Sequence, residues 1–113
     1  MVNAPAFLVI LETPAGRREI RCGADEYIWN AAARAGIQLP AICHQGRCLT
    51  CAARLIQGDV DNSAAVSYYE EDRRQGFVLL CTAHPKSEVT VETHQAEAMR
   101  AWRRAHGLPA PYA

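Results

Sequence analysis

Four of the five cysteines in this 113-residue chain follow a spacing that restricts what the chain can fold around. Cys43, Cys48 and Cys51 form a C-x₄-C-x₂-C run, and Cys81 follows after 29 further residues. Four thiolates in this arrangement suit an iron–sulfur cluster, and the spacing is one that [2Fe–2S] clusters use. We therefore predict that Cys43, Cys48, Cys51 and Cys81 bind one [2Fe–2S] cluster.

The geometry of such a cluster explains why the spacing is informative. A [2Fe–2S] cluster needs two thiolates on each iron, and all four must point into one small volume. Three ligands so close in sequence require an irregular loop, because a helix or a strand would direct some of them away. The fourth ligand must come from a separate element. Gly46 lies where this loop needs a close backbone approach or a positive φ.

Two other uses of the cysteines agree less well with the sequence. A structural zinc site also takes four cysteines, but usually as two short pairs, whereas this chain has a dense triple and a distant single cysteine. A disulfide framework needs an even number of cysteines in a secreted chain, and here there are five cysteines and we expect no secretory leader. The fifth cysteine, Cys22, is interpreted as a small apolar core residue.

Composition and charge argue against several classes of protein. Half of the residues are hydrophobic, which is enough for the modest core of one domain. Twelve basic and twelve acidic residues balance, whereas a nucleic-acid-binding protein would need a basic face. No apolar run approaches the roughly 20 residues that a membrane span requires. We expect a soluble, cytoplasmic and monomeric protein without a targeting segment.

The pattern of apolar residues predicts a mixture of strands and helices. Strands are predicted over residues 7–11, 17–22, 52–57, 77–80 and 88–92, and helices over residues 27–35, 68–75 and 95–106. Asp25 is placed to cap the first helix. The second helix is predicted to be solvated because it is rich in charged residues. In the third, Met99 and Trp102 are predicted to anchor the helix on the sheet, while its three arginines point elsewhere.

Residues 25–97 resemble the plant-type [2Fe–2S] ferredoxins of cyanobacteria and chloroplasts. Besides the cysteines, short segments fall in register with that family: Asp25-Glu26-Tyr27-Ile28, Ala31-Ala32, Gly36, Leu39-Pro40, Gly46, Gly58-Asp59-Val60-Asp61, Gly76-Phe77-Val78-Leu79, Pro85 and Thr93-His94. The resemblance implies an α+β protein with the β-grasp fold, in which one main helix packs across a mixed sheet, with a C-terminal helix added. We expect a ferredoxin domain over residues 1–94, and a C-terminal helix with a proline-containing tail over residues 95–113, packed on or near that domain.

The resemblance also implies a function. It indicates a soluble, low-potential one-electron carrier with one [2Fe–2S] cluster, not an enzyme, at about −400 mV for this cluster type. Expected partners are redox proteins that dock transiently, such as a ferredoxin–NADP reductase, a photosystem or an oxygenase. A dedicated donor to one oxygenase or metalloenzyme, and a regulatory or cluster-delivery module, stay open as alternatives. The expected location is the cytoplasm of a prokaryote such as a cyanobacterium, or the plastid stroma if a transit peptide has been removed.

The chain departs from the family in the cluster loop and at positions used for docking. His44, Arg47 and Leu49 replace the arginine, the small residue and the serine that family loops usually carry. The aromatic docking position aligns with Ser67, and only one residue of a C-terminal acidic pair remains. Six residues are therefore candidates for cluster tuning or partner contact: His44, Gly46, Arg47, Leu49, Tyr68 and Glu97.

Arg47 provides a testable prediction about the reduction potential. A permanent cation close to the cluster favours the reduced state, because that state carries one more negative charge. We expect Arg47→Ala to lower the midpoint potential in a redox titration. An unchanged or higher potential would contradict this. Leu49 is expected to act in the opposite direction, since it lacks the hydroxyl donor of a serine.

Overall fold

The computed structural model describes residues 5–41 and 49–110, and its first two strands form a hairpin. β1 (Ala6–Thr13) pairs antiparallel with β2 (Gly16–Gly23) along their whole length. The Thr13 hydroxyl closes the turn by donating to the Gly16 carbonyl over 2.7 Å. Both predicted strands are confirmed, and each extends beyond the predicted residues at both ends.

The hairpin forms one edge of a five-stranded sheet. The remaining strands, in chain order, are β3 (Ala52–Gln57), β4 (Val60–Asp61), β5 (Phe77–Leu79), β6 (His84–Pro85) and β7 (Val89–Glu92). The order in the sheet is β2–β1–β7–β3–β5, with β1 and β7 parallel and every other pair antiparallel. β4 and β6 form a separate two-stranded ladder. This mixed sheet is the one expected for a β-grasp fold.

The main helix, α1 (Ile28–Arg34), packs against the sheet and contributes to the main hydrophobic core. Its buried residues are Ile28, Ala31 and Ala32. The Ile28 N–H donates to the Ala83 carbonyl over 2.9 Å, which joins the start of the helix to a distant segment. The predicted cap at Asp25 is wrong, because the helix begins three residues later and its N-cap residue, Tyr27, makes no side-chain cap.

Two further helices are joined by a buried ion pair. α2 (Glu70–Arg74) and α3 (Ala96–Ala105) each contribute one fully buried charge, Asp72 and Arg103. Arg103 binds Asp72 through two donors, with Nη2 at 2.7 Å from Oδ2 and Nε at 3.1 Å from Oδ1. A bidentate pair of this kind offsets the cost of burying both charges. The prediction that the second helix is solvated is therefore wrong for Asp72.

Arg103 also holds the segment before α2 and the segment after α3. Its Nη2 donates to the Ser67 carbonyl over 2.8 Å, and its Nη1 donates to the Pro109 carbonyl over 3.0 Å. The guanidinium lies over the Tyr69 ring, 4.8 Å from the centroid. One side chain therefore connects the approach to α2, the helix α3 and the segment that follows it.

The buried face of α3 differs in part from the predicted one. Met99 is fully buried, and Trp102 packs against Phe77 with ring centroids 6.0 Å apart, so both predicted anchors are confirmed. However, two of the three arginines expected to point away, Arg100 and Arg103, are buried as well. Apolar periodicity could not show this, because each buried arginine contacts a polar group from a distant segment. The predicted domain division at residue 94 stays a prediction.

The described helices are short. α3 is the longest helix within residues 5–41 and 49–110, and it has 10 residues. In that part of the chain, no helix has the length and apolar character to cross a lipid bilayer.

Candidate metal centre

Two of the predicted ligands, Cys51 and Cys81, lie side by side in the structure. Cys51 directly precedes β3, and Cys81 lies in a single 3₁₀ turn, Leu80–Thr82, that directly follows β5. The two sulfurs are 3.0 Å apart, and each residue is 3% exposed. The Leu80 N–H also donates to the Cys51 carbonyl over 3.3 Å. The fold thus brings one predicted ligand of the dense run next to the distant Cys81.

Strand pairing explains why the two thiols meet. β3 and β5 are antiparallel neighbours, and Ala52 pairs with Leu79 at the end of the ladder. The residue before β3 and the turn after β5 therefore lie at the same edge of the sheet. Because side chains alternate between faces, a shift of one residue in this register would turn the adjoining side chains to the other face.

The buried side chain of Asn62 holds the segment that carries Cys81. Its Nδ2 donates to the Leu79 carbonyl over 3.1 Å and to the Thr82 hydroxyl over 3.0 Å, and its Oδ1 accepts from the Leu79 N–H over 2.9 Å. Asn62 and Thr82 are both buried. One amide therefore contacts both sides of Cys81. The sequence analysis missed Asn62, because a single asparagine after a short strand carries no periodic signal.

An apolar cluster surrounds the two thiols. Its buried members are Leu49, Cys51, Ala52, Phe77, Leu79, Cys81 and Met99. Met99 comes from α3, so this helix helps to shield the site from solvent.

Leu49 has φ +66°, a left-handed conformation that costs a residue with a side chain about 1–2 kcal/mol. Its complete burial among these residues offsets that cost and places an apolar group where the family usually has a serine.

Five of the predicted site residues cannot be placed in this way. They lie outside the described residues, and their roles stay predictions: Cys43, His44, Gly46, Arg47 and Cys48. The residues at the two ends of this segment, Ala41 and Leu49, are described. Ala41, just before it, packs against the same apolar cluster as Leu49, just after it. Both ends of the segment that carries Cys43 and Cys48 therefore lie near Cys51 and Cys81.

The two remaining candidates, Tyr68 and Glu97, differ in exposure. Tyr68 packs against the apolar cluster, and its hydroxyl donates to the Phe77 carbonyl. Burial, with a smaller contribution from Asp72, raises the pKa of the Tyr68 phenol above its ordinary value. Glu97 is exposed in the first turn of α3, and its Oε1 lies 3.7 Å from Nη1 of Arg100. Glu97 is thus available to a partner, whereas the polar end of Tyr68 is used internally.

Cys22 belongs to a different part of the molecule. It is fully buried in β2 within the main core, and its Sγ donates to the Glu26 carbonyl over 3.3 Å. Burial raises the pKa of the Cys22 thiol to about 12. The thiol is therefore protonated at neutral pH, whereas nucleophiles and metal ligands are thiolates. The interpretation of Cys22 as a core residue is confirmed.

The described donors fit an iron–sulfur cluster. Thiolate sulfur is a soft ligand that selects iron–sulfur clusters, zinc or copper(I) over hard cations. Cys51 and Cys81 supply two such donors in one apolar surrounding, which limits solvent access and so influences the reduction potential. The two further thiols that a [2Fe–2S] cluster needs are those predicted in the segment between Ala41 and Leu49.

Comparison with known proteins gives the family. A family model described as a 2Fe-2S iron-sulfur cluster binding domain matches residues 12–86, which include all four predicted ligands. The chain belongs to the plant-type [2Fe–2S] ferredoxin family. It is 42% identical over 77 residues to Ferredoxin-2 of Synechococcus sp., covering 68% of this chain and 73% of that protein. The vegetative ferredoxin of Trichormus variabilis is 41% identical over 68 residues, covering 60% of this chain and 69% of that protein.

A chloroplast relative and two solved structures agree with this assignment. Ferredoxin-6 of Zea mays is 38% identical over 73 residues, which is 65% of this chain and 47% of that protein. Pectocin M2 matches 91% of this chain with a TM-score of 0.76 and 28% identity, but the chain spans only 40% of that structure. The Amycolatopsis cytochrome P450 reductase GcoB matches 76% of this chain with a TM-score of 0.67 and 30% identity, and the chain spans 25% of it.

The predicted class of function is confirmed by these relatives. Ferredoxins are electron-transfer proteins and not enzymes, and this ferredoxin carries electrons with one [2Fe–2S] cluster. The predicted β-grasp fold is confirmed by the family match and the solved structures.

Asn62 provides a prediction about the stability of the site. Asn62→Leu leaves the buried Leu79 N–H without its side-chain acceptor, which costs about 1–3 kcal/mol. The Leu79 carbonyl loses the amide donor but keeps the Thr82 hydroxyl, 3.3 Å away. We expect the holo-protein variant to lose its visible absorbance several times faster than the wild type at a fixed elevated temperature. Ser63→Ala, at the exposed neighbouring position, should decay at the wild-type rate. Equal decay of Asn62→Leu and the wild type would contradict the role of Asn62.

Proposed function

We propose that Cys43, Cys48, Cys51 and Cys81 hold the [2Fe–2S] cluster and that this ferredoxin acts as a diffusible, low-potential carrier. The observation that carries the proposal is the 3.0 Å separation of the buried Cys51 and Cys81 sulfurs. These residues are 30 positions apart in sequence. When bound, the cluster supplies one-electron redox chemistry, with one iron cycling between Fe³⁺ and Fe²⁺ at about −400 mV.

The residues of the chain position the Cys51 and Cys81 thiols and set the environment around them. Strands β3 and β5 aim two thiols at one point, and Asn62 keeps the turn of Cys81 in place. The apolar cluster limits water at the thiols, which favours the less charged oxidised state and supports a low potential.

Replacement of single cysteines tests the ligand set. We expect Cys51→Ala and Cys81→Ala to lose the [2Fe–2S] absorbance and EPR spectra, because a missing thiolate leaves one iron with an incomplete ligand set. Cys22→Ala is the matched control and should keep both spectra, since Cys22 is part of the main core and not of the site. A Cys51→Ala protein with a full wild-type spectrum would contradict the proposal, as would a colourless wild type that binds zinc.

We further propose that the carrier docks transiently to flavoenzyme reductases and to an oxygenase or another metalloenzyme. The relation to a cytochrome P450 reductase, at 30% identity over 76% of this chain, supports this class of partner. Cyanobacterial relatives favour a prokaryotic cytoplasm as its location. We expect the carrier to dock as a monomer, and weak redox encounters usually bury less than about 1,200 Å².

The exposed charges of the chain suggest weak electrostatic steering. Several are already neutralised by neighbours in surface ion pairs: Glu26 with Arg34, Asp59 with Lys86, and Glu70 with Arg73 and Arg74. The formal net charge is zero. Long-range attraction to an oppositely charged partner is therefore small, because steering depends on a patch of one sign.

This surface leads to a prediction about salt dependence. We expect the bimolecular rate constant for reduction by a ferredoxin–NADP reductase to change by less than about threefold between about 0.05 and 0.5 M salt. Stopped-flow absorbance measures the rate constant. The same series with the flavin reductase of an oxygenase system compares the two partner classes. A tenfold or greater decrease with salt would contradict the neutral docking surface.

A further inference from the structure

Arg100 is a buried cation next to the metal-binding segment. Its side chain is only 8% exposed, although it lies in the middle of α3. Burying a guanidinium is costly unless other groups compensate for the lost water, so arginine is seldom buried to this degree without interactions in the fold. The groups that Arg100 contacts must therefore compensate for the water that its guanidinium has lost.

The guanidinium of Arg100 points to the segment that carries Cys51. Its Nη2 donates to the Thr50 hydroxyl over 2.9 Å, and Thr50 is the residue directly before Cys51. Met99, the preceding residue of α3, packs in the apolar cluster with Cys51 and Cys81. Consecutive residues of α3 thus bring a charge and an apolar group to the same site.

The next arginine on the buried face, Arg103, has a different environment. Its charge is balanced by Asp72, and both of those side chains are 0% exposed. The carboxylate of Glu97 lies 3.7 Å from Arg100, but that side chain is 88% exposed, where water screens the pair. Solvent therefore weakens the attraction to Glu97 more than it weakens the field that Arg100 exerts on the buried thiols.

We propose that Arg100 is an electrostatic tuning residue whose fixed positive charge raises the reduction potential of the cluster. This inference rests on the proposed ligand set, because it requires the cluster at Cys51 and Cys81. One electron from a redox partner adds one negative charge to a site that is already rich in thiolate. A nearby cation in a surrounding of low dielectric favours the more negative of the two states. The helix α3 thereby affects the potential as well as the packing.

Two matched variants of the holo-protein test the inference. Arg100→Gln and Arg104→Gln each remove one positive charge from α3, but Arg104 is exposed. At the wild-type midpoint, we expect Arg100→Gln to decrease the ratio of reduced to oxidised protein by about tenfold, or about 59 mV for a one-electron couple. Arg104→Gln should change the ratio by less than about twofold, because solvent screens its charge. Redox titration followed by EPR measures both.

The sign of the shift separates electrostatic tuning from a merely structural role. If Arg100 only filled space, its removal would admit water, which stabilises the more charged reduced state and raises the potential. Arg100→Lys keeps the charge and should restore most of the wild-type potential. Arg100→Met, an apolar side chain of similar length, gives a second neutral variant should Arg100→Gln fold poorly, and it should also lower the potential.

The possible failures can be told apart. A neutral variant with an intact [2Fe–2S] spectrum and an unchanged or higher potential would overturn the role of Arg100 alone. A full spectrum in Cys51→Ala would instead overturn the proposed ligand set, whatever the potential of the Arg100 variants.

Discussion

The structure depends on two thiols that meet although 29 residues lie between them. Cys51 directly precedes β3 and Cys81 lies in the turn that follows β5, and the antiparallel pairing of these strands brings both to one edge of the sheet. The amide of Asn62 holds the turn at Cys81, and a buried apolar cluster excludes water around both sulfurs. Strand register, buried hydrogen bonds and apolar packing therefore all hold the Cys51 and Cys81 thiols in place.

The helix α3 contributes two buried arginines to the structure. Arg103 forms a fully buried pair with Asp72 and fastens the helix to α2. Arg100, three residues earlier, reaches the hydroxyl of Thr50 beside Cys51. Two arginines on one buried face thus have different contacts: Arg103 binds a buried carboxylate, and Arg100 binds the hydroxyl of the residue before Cys51. The difference arises from what each side chain meets after folding.

Local patterns were sufficient for most elements of the fold. The hairpin strands, β3, β7 and α3 lie close to their predicted residues, since alternation and helical periodicity depend on near neighbours in sequence. The errors concern polar side chains, one at a local helix cap and one in a long-range contact. Asp25 does not cap α1, because the helix begins at Ile28. Asp72, read as part of a solvated helix, is buried because Arg103 comes from a segment far along the chain.

By itself, the sequence determined the chemistry of this protein, because the spacing of Cys43, Cys48, Cys51 and Cys81 is specific for a [2Fe–2S] cluster and the surrounding segments resemble plant-type ferredoxins. Only the tertiary structure decided which polar groups support the site. Asn62, Thr50 and Arg100 carry no sequence signal of their own. Their contacts bridge segments that are distant in the chain, and the energy of a buried hydrogen bond or charge depends on surroundings that exist only after those segments have packed together.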